Sequence, residues 1–222
     1  MKDKKVTPTQ RALNLWAVIL IVWSIYRTYF KLPEWFDEFI AKPLVFVLPV
    51  FYYIKKIDKQ NILSSLYLSL KPKKLLQDFL YAVGVGVIFF ITASLAYFVK
   101  SGKFISFNLN ISSANIFLII ITALATGITE EILSRGFVLK KLYEESKNPF
   151  SSTFFSSILF FFLHVPILFS NTRIGGNLLL VFLATDLLLS MINGLIFIER
   201  KSLIIPIFLH AFYNIIIALS FI

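Results

Sequence analysis

Glu130, His164, His210 and Asn214 are a carboxylate, two imidazoles and an amide, all set in long apolar runs, and the chain has only two histidines. Glu131 and Arg135 flank the first of them, and Phe160 precedes His164 by four residues. An ionisable side chain near a bilayer centre costs about 3 kcal/mol on insertion scales, so such residues mark function by default. The chemistry available is hydrolysis by an activated water. A carboxylate in low-dielectric surroundings suits a general base near neutral pH, and a neutral imidazole beside it can orient the same water. His and Asn together can donate hydrogen bonds to a developing oxyanion, a contribution of about 3–4 kcal/mol.

Spacing assigns partners. Glu130 and Glu131 are adjacent, so they point about 100° apart on a helix. Arg135 lies four residues after Glu131, on its face and within ion-pair reach, which leaves Glu130 with a free carboxylate turned elsewhere. His210 and Asn214 are one turn apart and share a face. Each group also has a structural reading: an interfacial Glu–Arg pair, a hydrogen-bonded packing histidine, and an interhelical hydrogen bond of about 0.6–2 kcal/mol. Depth favours function. With about 1.5 Å per residue, Glu130, His164, His210 and Asn214 lie roughly 15, 20, 12 and 18 Å below one membrane face, a common layer reached by three helices. Asp186, near the middle of another apolar segment, either joins this network or, the favoured reading, hydrogen-bonds a neighbouring Ser or Thr, and Asn193 and Gly194 read as packing residues. Zn²⁺ held by Glu130, His164 and His210, with Asn214 as a further donor, is the other chemistry these groups permit. No H-E-x-x-H motif is present, and spacing leaves the metal-bound and the directly activated water both open.

Other chemistries lack their residues. There is no cysteine, so thiolate ligands, disulfides and cysteine nucleophiles are excluded. No serine stands at a G-x-S-x-G elbow and no G-x-x-x-x-G-K run occurs.

The elements that position these groups are membrane helices. The chain has 222 residues, is 58% hydrophobic with 25 Phe and carries only 15% charged residues, against roughly 25% in soluble domains. The fold class is all-α, a polytopic transmembrane bundle. Seven segments approach the length that crosses about 30 Å of hydrocarbon: 12–30, 39–54, 76–99, 114–139, 151–170, 177–198 and 203–222. The first is too long for a secretory signal, and no A-x-A site follows it. The second, with Pro43 and Pro49, is short and reads as kinked or partly re-entrant. The last two are joined by a tight turn at Glu199–Lys201, and Pro206 is expected to kink the final helix. Ile62, Leu63, Leu66, Tyr67 and Leu70 recur at helical spacing and predict a helix in the cytoplasmic interface. Asn148-Pro149 reads as a helix start.

The net charge of +10 follows membrane topology rather than nucleic acid. With the N-terminus inside, sixteen of the 22 basic residues, Arg135 among them, fall on the cytoplasmic side. The other six, Lys42 among them, fall outside. This predicts a multi-pass protein of the cell membrane with a cytoplasmic N-terminus. Residues 1–113 form N-terminal spans and an interfacial loop, and 114–222 form the core that carries the chemistry.

The run E-E-I-L-S-R-G at Glu130–Gly136, F-x-x-x-H at Phe160–His164, and G-x-x-F with S-L-x-x-P-x-x-x-H-x-x-x-N between Gly194 and Asn214 resembles the CPBP family. These are the CAAX prenyl endopeptidases and bacteriocin-processing (Abi) proteins, intramembrane proteases often described as metalloproteases. The resemblance covers residues 114–218. It implies that Glu130 activates water with His164 as partner, that His210 and Asn214 form the oxyanion hole, and that Glu131 and Arg135 support them; the favoured reading requires no cofactor, and Zn²⁺ stays the other possibility. Ser134 stands where the family usually has an aromatic residue, and Lys201 replaces the usual turn glycine. The implied partners are a peptide or membrane-protein substrate and the lipid bilayer, not nucleic acid. The Lys-, Ile- and Phe-rich composition favours prokaryotic peptide or membrane-protein processing, or bacteriocin self-immunity. The alternative is a non-catalytic immunity or scaffold protein that binds a peptide in the same polar pocket. A proton-coupled carrier is weakly supported, since inverted repeats are lacking.

Overall fold

A computed structural model describes residues 6–30, 32–107, 111–170 and 176–221, apart from the side chains at 96, 100, 101, 167–170, 176–183 and 221. Lys2, Lys4, Lys5, Lys31 and Arg173, which entered the charge count, lie outside the described residues. The described residues are helical, without strands. Eight helices follow in order: α1 (Pro8–Tyr29), α2 (34–57), α3 (Ile62–Ser65), α4 (Pro72–Ser101), α5 (Ser113–Ser146), α6 (Pro149–Ser170), α7 (Gly176–Arg200) and α8 (Ile204–Phe221).

Helix starts follow local chemistry. Thr7 accepts a hydrogen bond from the Gln10 amide, Ser112 from that of Asn115, and Asn148 from that of Ser151. Each satisfies an amide that the first turn leaves unpaired. Pro8, Pro72 and Pro149 occupy the first helical position, where the missing N–H costs nothing.

Pro8–Tyr29, Pro72–Val99, Ser113–Ser146 and Pro149–Pro166 are long and apolar enough to cross a membrane, and Ile204–Ser220 is a shorter apolar helix. Large apolar side chains such as Val18, Ile21, Ile88, Ile91, Phe117 and Phe155 project outward, as a lipid-facing surface requires. On a soluble domain so much exposed apolar surface would be an association hazard. The chain is a helical membrane bundle.

α8 lies against α4, α5 and α7, while α6 packs on α7 and α1. The core between them is built from Trp23, Phe46, Tyr53, Leu66, Phe137 and Phe197, all buried. Two glycines stand where a Cβ would collide. A Cβ on Gly127 would sit 2.8 Å from the Ile207 carbonyl oxygen, so α5 meets α8 there nearly backbone to backbone. A Cβ on Gly136 would sit 2.7 Å from Leu66 Cδ2, the tip of a buried side chain.

Several expectations are corrected. α2 is one continuous helical path longer than the 39–54 segment, with π-helical stretches at Asp37–Ala41, Pro43–Val47 and Tyr53–Ile57. Wider i→i+5 turns absorb the N–H groups missing at Pro43 and Pro49 without breaking the path. The interfacial helix is a single turn, because Leu66 plugs the core instead of continuing an outward stripe. Pro206 does not kink α8. It is the third residue of that helix, in the first turn, where no intrahelical bond is lost.

The α7–α8 turn does hold Lys201, in the left-handed region at φ 47°. Its amide donates to the Phe197 carbonyl, and Ser202 Oγ donates to Asp78 at 2.6 Å. The missing turn glycine therefore leaves the turn's left-handed shape in place but strains it.

Candidate functional site

α5 carries the two acids at the point where it changes character. Ser113–Glu131 is α-helical, and Ile132–Leu139 is π-helical. Glu130 is 4% exposed and Glu131 0%. Glu131 Oε1 accepts from Arg135 Nη1 at 2.9 Å, the pair expected from their spacing. The same oxygen accepts from His210 Nδ1 at 2.9 Å and from Asn193 Nδ2 at 3.4 Å. Arg135 is 1% exposed and lies 4.4 Å over the Phe160 ring. It is an interior cation, not the cytoplasmic loop charge of the sequence count. Phe160 in turn meets both imidazoles edge-on, at 4.8 Å to His164 and 5.8 Å to His210.

Glu130 faces the other way, as the 100° offset requires, but its carboxylate is not free. Lys42 Nζ of α2 donates to its Oε1 at 2.7 Å. Lys42 is 4% exposed, a buried residue where an external loop charge was expected. Glu130 Oε2 is buried and lacks a hydrogen-bond partner among the described residues. Opposite it stand His164 Nε2 at 3.6 Å and His210 Nε2 at 3.8 Å.

The two rings are oriented alike. His210 Nδ1 contacts a carboxylate and His164 Nδ1 lies 3.2 Å from the Phe160 carbonyl oxygen. Both partners only accept, so each Nδ1 bears a proton and each Nε2 is turned toward Glu130. Histidines held at one nitrogen present the other in a fixed direction.

Of the residues singled out from the sequence, Glu130, His164 and His210 therefore converge, with Glu131 and Arg135 behind them. Asn214 is half-buried, one turn beyond His210, and makes no hydrogen bond to any of these three. Four further residues join them. Asp186 is 3% exposed, with Oδ2 3.7 Å from His164 Nδ1, which places it beside the network, the less favoured of its two expected readings. Asn193 links Glu131 to the Pro206 carbonyl at 3.5 Å, which is more than packing. Lys42, with Glu38, was missed. Its signal was present as an i, i+4 acid–base pair inside an apolar segment, the pattern that singled out Glu131 and Arg135.

An ion held by Glu130, His164 and His210 would share its carboxylate with an ammonium. Among the described residues no group of three His, Cys, Asp or Glu is arranged to hold an ion. The ammonium of Lys42 already occupies one oxygen of the carboxylate that would be a ligand.

A polar cluster with an acid facing two imidazoles, inside a bundle of apolar helices, agrees with a single family match. Residues 112–216 match the family described as Type II CAAX prenyl endopeptidase Rce1-like. The match covers just under half of the chain, and this stretch is similar to the CPBP/CAAX protease family. The matched residues contain Glu130, Glu131, Arg135, His164, His210 and Asn214, whereas Lys42 and Glu38 lie outside them. No curated protein and no solved structure matches the chain. The family and the apolar helices together describe a multi-pass membrane protein of CAAX-protease type.

Proposed function

We propose that the chain is an intramembrane endopeptidase in which Glu130 activates the attacking water. One observation carries this reading. The unpartnered Glu130 Oε2 is buried, and an imidazole Nε2 stands at 3.6 Å and another at 3.8 Å. A single water at about 2.8 Å from both Oε2 and His164 Nε2 spans that separation, donating one hydrogen to each. Glu130 takes its proton as the water oxygen adds to the scissile carbonyl carbon. His210, as imidazolium, and Asn214 donate hydrogen bonds to the resulting oxyanion. Collapse breaks the C–N bond, and the proton held by Glu130 passes to the departing amine. Glu131, Arg135 and Asn193 keep His210 in place.

The substrate class that the family suggests is a peptide tail or a membrane protein cut near the cytoplasmic leaflet. A cytoplasmic N-terminus and a cell-membrane location belong to the same reading, on the distribution of basic residues. The test is mass-spectrometric mapping of membrane-protein fragments produced by purified protein in bilayers. Glu130→Gln should lower their formation by about 10²–10⁴-fold while the protein still folds. Undiminished cleavage would remove Glu130 from the mechanism. No cleavage by either protein, with retained protection of cells against a bacteriocin, would favour the binding-protein alternative. Metal analysis of active protein decides between direct activation and a Zn²⁺ held by Glu130, His164 and His210.

A further inference from the structure

Beyond the groups used in hydrolysis, two further buried charges form a second cluster on α2. Glu38 and Lys42 lie four residues apart, with 7% and 4% exposure. Lys42 Nζ donates to Glu38 Oε1 at 2.6 Å, to Glu38 Oε2 at 2.8 Å and to Glu130 Oε1 at 2.7 Å. Thr126 Oγ1 donates to Glu38 Oε2 at 2.6 Å and ties that acid back to α5, one turn before Glu130. An ammonium has three donors and no acceptor. All three are engaged, so the cation has one orientation available to it. Lys42 sits between two π-helical stretches of α2, a widening often found where a helix serves a site.

The geometry points to Lys42 as a positioning residue for the proposed general base, held in place by Glu38 and Thr126. This rests on the peptidase reading. Locking Oε1 fixes the plane of the Glu130 carboxylate and leaves Oε2 alone to face the two Nε2 atoms. Without the ammonium, Glu130 and Glu38 would repel across a low-dielectric interior, and the base would turn from its partners. The N-terminal helices then do more than surround the family-matched segment. α2 supplies the contact that aims its base.

A purely structural strut would make the same contacts, so the test must separate aim from stability. Lys42→Met, Lys42→Gln and Lys42→Arg are purified in bilayers and assayed on a synthetic peptide. That peptide spans the strongest cleavage that disappears in Glu130→Gln. Misplacing a catalytic group by about 1 Å costs about 100-fold, and that loss of kcat is expected for the Met and Gln variants, with KM within about threefold. Lys42→Arg retains the charge and should recover to within about tenfold of wild type.

Wild-type kcat in folded Lys42→Gln overturns the inference. So does equal loss in Arg and Gln variants of equal melting temperature. Failure of both neutral variants to fold, with Arg restoring folding alone, would make Lys42 a strut and overturn it as well. If no cleavage depends on Glu130, the peptidase reading falls and takes this inference with it. Glu130-dependent cleavage indifferent to Lys42→Gln sinks this inference alone.

Discussion

Glu131 and Glu130 leave α5 one residue apart and enter two different surroundings. On the Glu131 side, one carboxylate oxygen collects Arg135, His210 and Asn193 from three helices. On the Glu130 side a single donor, Lys42, holds one oxygen, and the other faces imidazole nitrogens beyond hydrogen-bond distance. The first arrangement is a knot on Oε1 that ties α5, α7 and α8 together, while Glu131 Oε2 is buried without a partner among the described residues. The second is directed but incomplete. Each carboxylate keeps one buried oxygen without a donor, and that of Glu130 faces two imidazole nitrogens at 3.6 and 3.8 Å. A buried oxygen without a donor is costly unless something arrives to use it. Adjacent positions thus divide stability and chemistry between them, and His210 belongs to both, with Nδ1 in the knot and Nε2 at the open side.

The division predicts opposite responses to loss of charge. Arg135→Met removes the cation from the closed side and leaves Glu131 buried without it, which should cost about 3–5 kcal/mol of stability. Glu130→Gln keeps an acceptor for Lys42 and leaves that ammonium paired with Glu38. Its stability should stay within about 1 kcal/mol of wild type while cleavage is lost. Unfolding in detergent by heat or by mixed-micelle SDS titration gives both values. Similar destabilisation by the two variants would erase the distinction between knot and site.

On the Glu131 side the pair with Arg135 was legible in the sequence, because it rests on periodicity within one helix, whereas the contacts of Glu131 to His210 and Asn193 cross helices and were not. Glu131 and Arg135 are four residues apart, and the depth estimate brought His164 and His210 into the layer of Glu130. Lengths of apolar runs likewise located the helices. What could not be read was which helix stands beside which. Lys42 and Glu130 are separated by 88 positions, and no spacing rule connects them. The same lysine counted equally well as an external loop charge, since Pro43 and Pro49 made its segment look short. The wider π turns of α2 reverse that reading, and they have no signature in the hydrophobic period. Arg135 shows the converse error. A charge-distribution rule assigns every basic residue to water and has no place for one whose partner is buried with it.

A smaller perturbation moves the open side against the closed one. Gly127→Ala places a methyl group 2.8 Å from the Ile207 carbonyl oxygen. That obstacle is backbone, so α8 must move away from α5. Overpacking of this kind costs about 1–3 kcal/mol. The same movement carries His210 from Glu130, whose contact at 3.8 Å has no hydrogen bond to hold it, while the bond from His210 to Glu131 can follow by tilting. Cleavage should therefore fall further than stability, by about 10-fold or more for each 1.4 kcal/mol of misalignment. Parallel losses in melting temperature and kcat would show instead that the two sides move as one.

Lys201→Gly should have the smallest effect, and its sign is opposite. The side chain is exposed and the backbone is left-handed at φ 47°, a conformation that costs a non-glycine residue about 1 kcal/mol. Glycine removes that strain and gives back part of the gain through the greater freedom of the unfolded chain, so a net stabilisation of about 0.5 kcal/mol is expected. This turn starts α8, and α8 carries His210 to both carboxylates. Its first residues are nevertheless tied elsewhere, through Ser202 to Asp78 and through the Leu203 amide to the Tyr67 carbonyl. Those anchors predict that relief of strain at Lys201 raises the melting temperature without altering kcat. A change in kcat at constant KM would mean that the turn's strain reaches the Nε2 of His210, and that the open side is set by the loop as well as by Lys42.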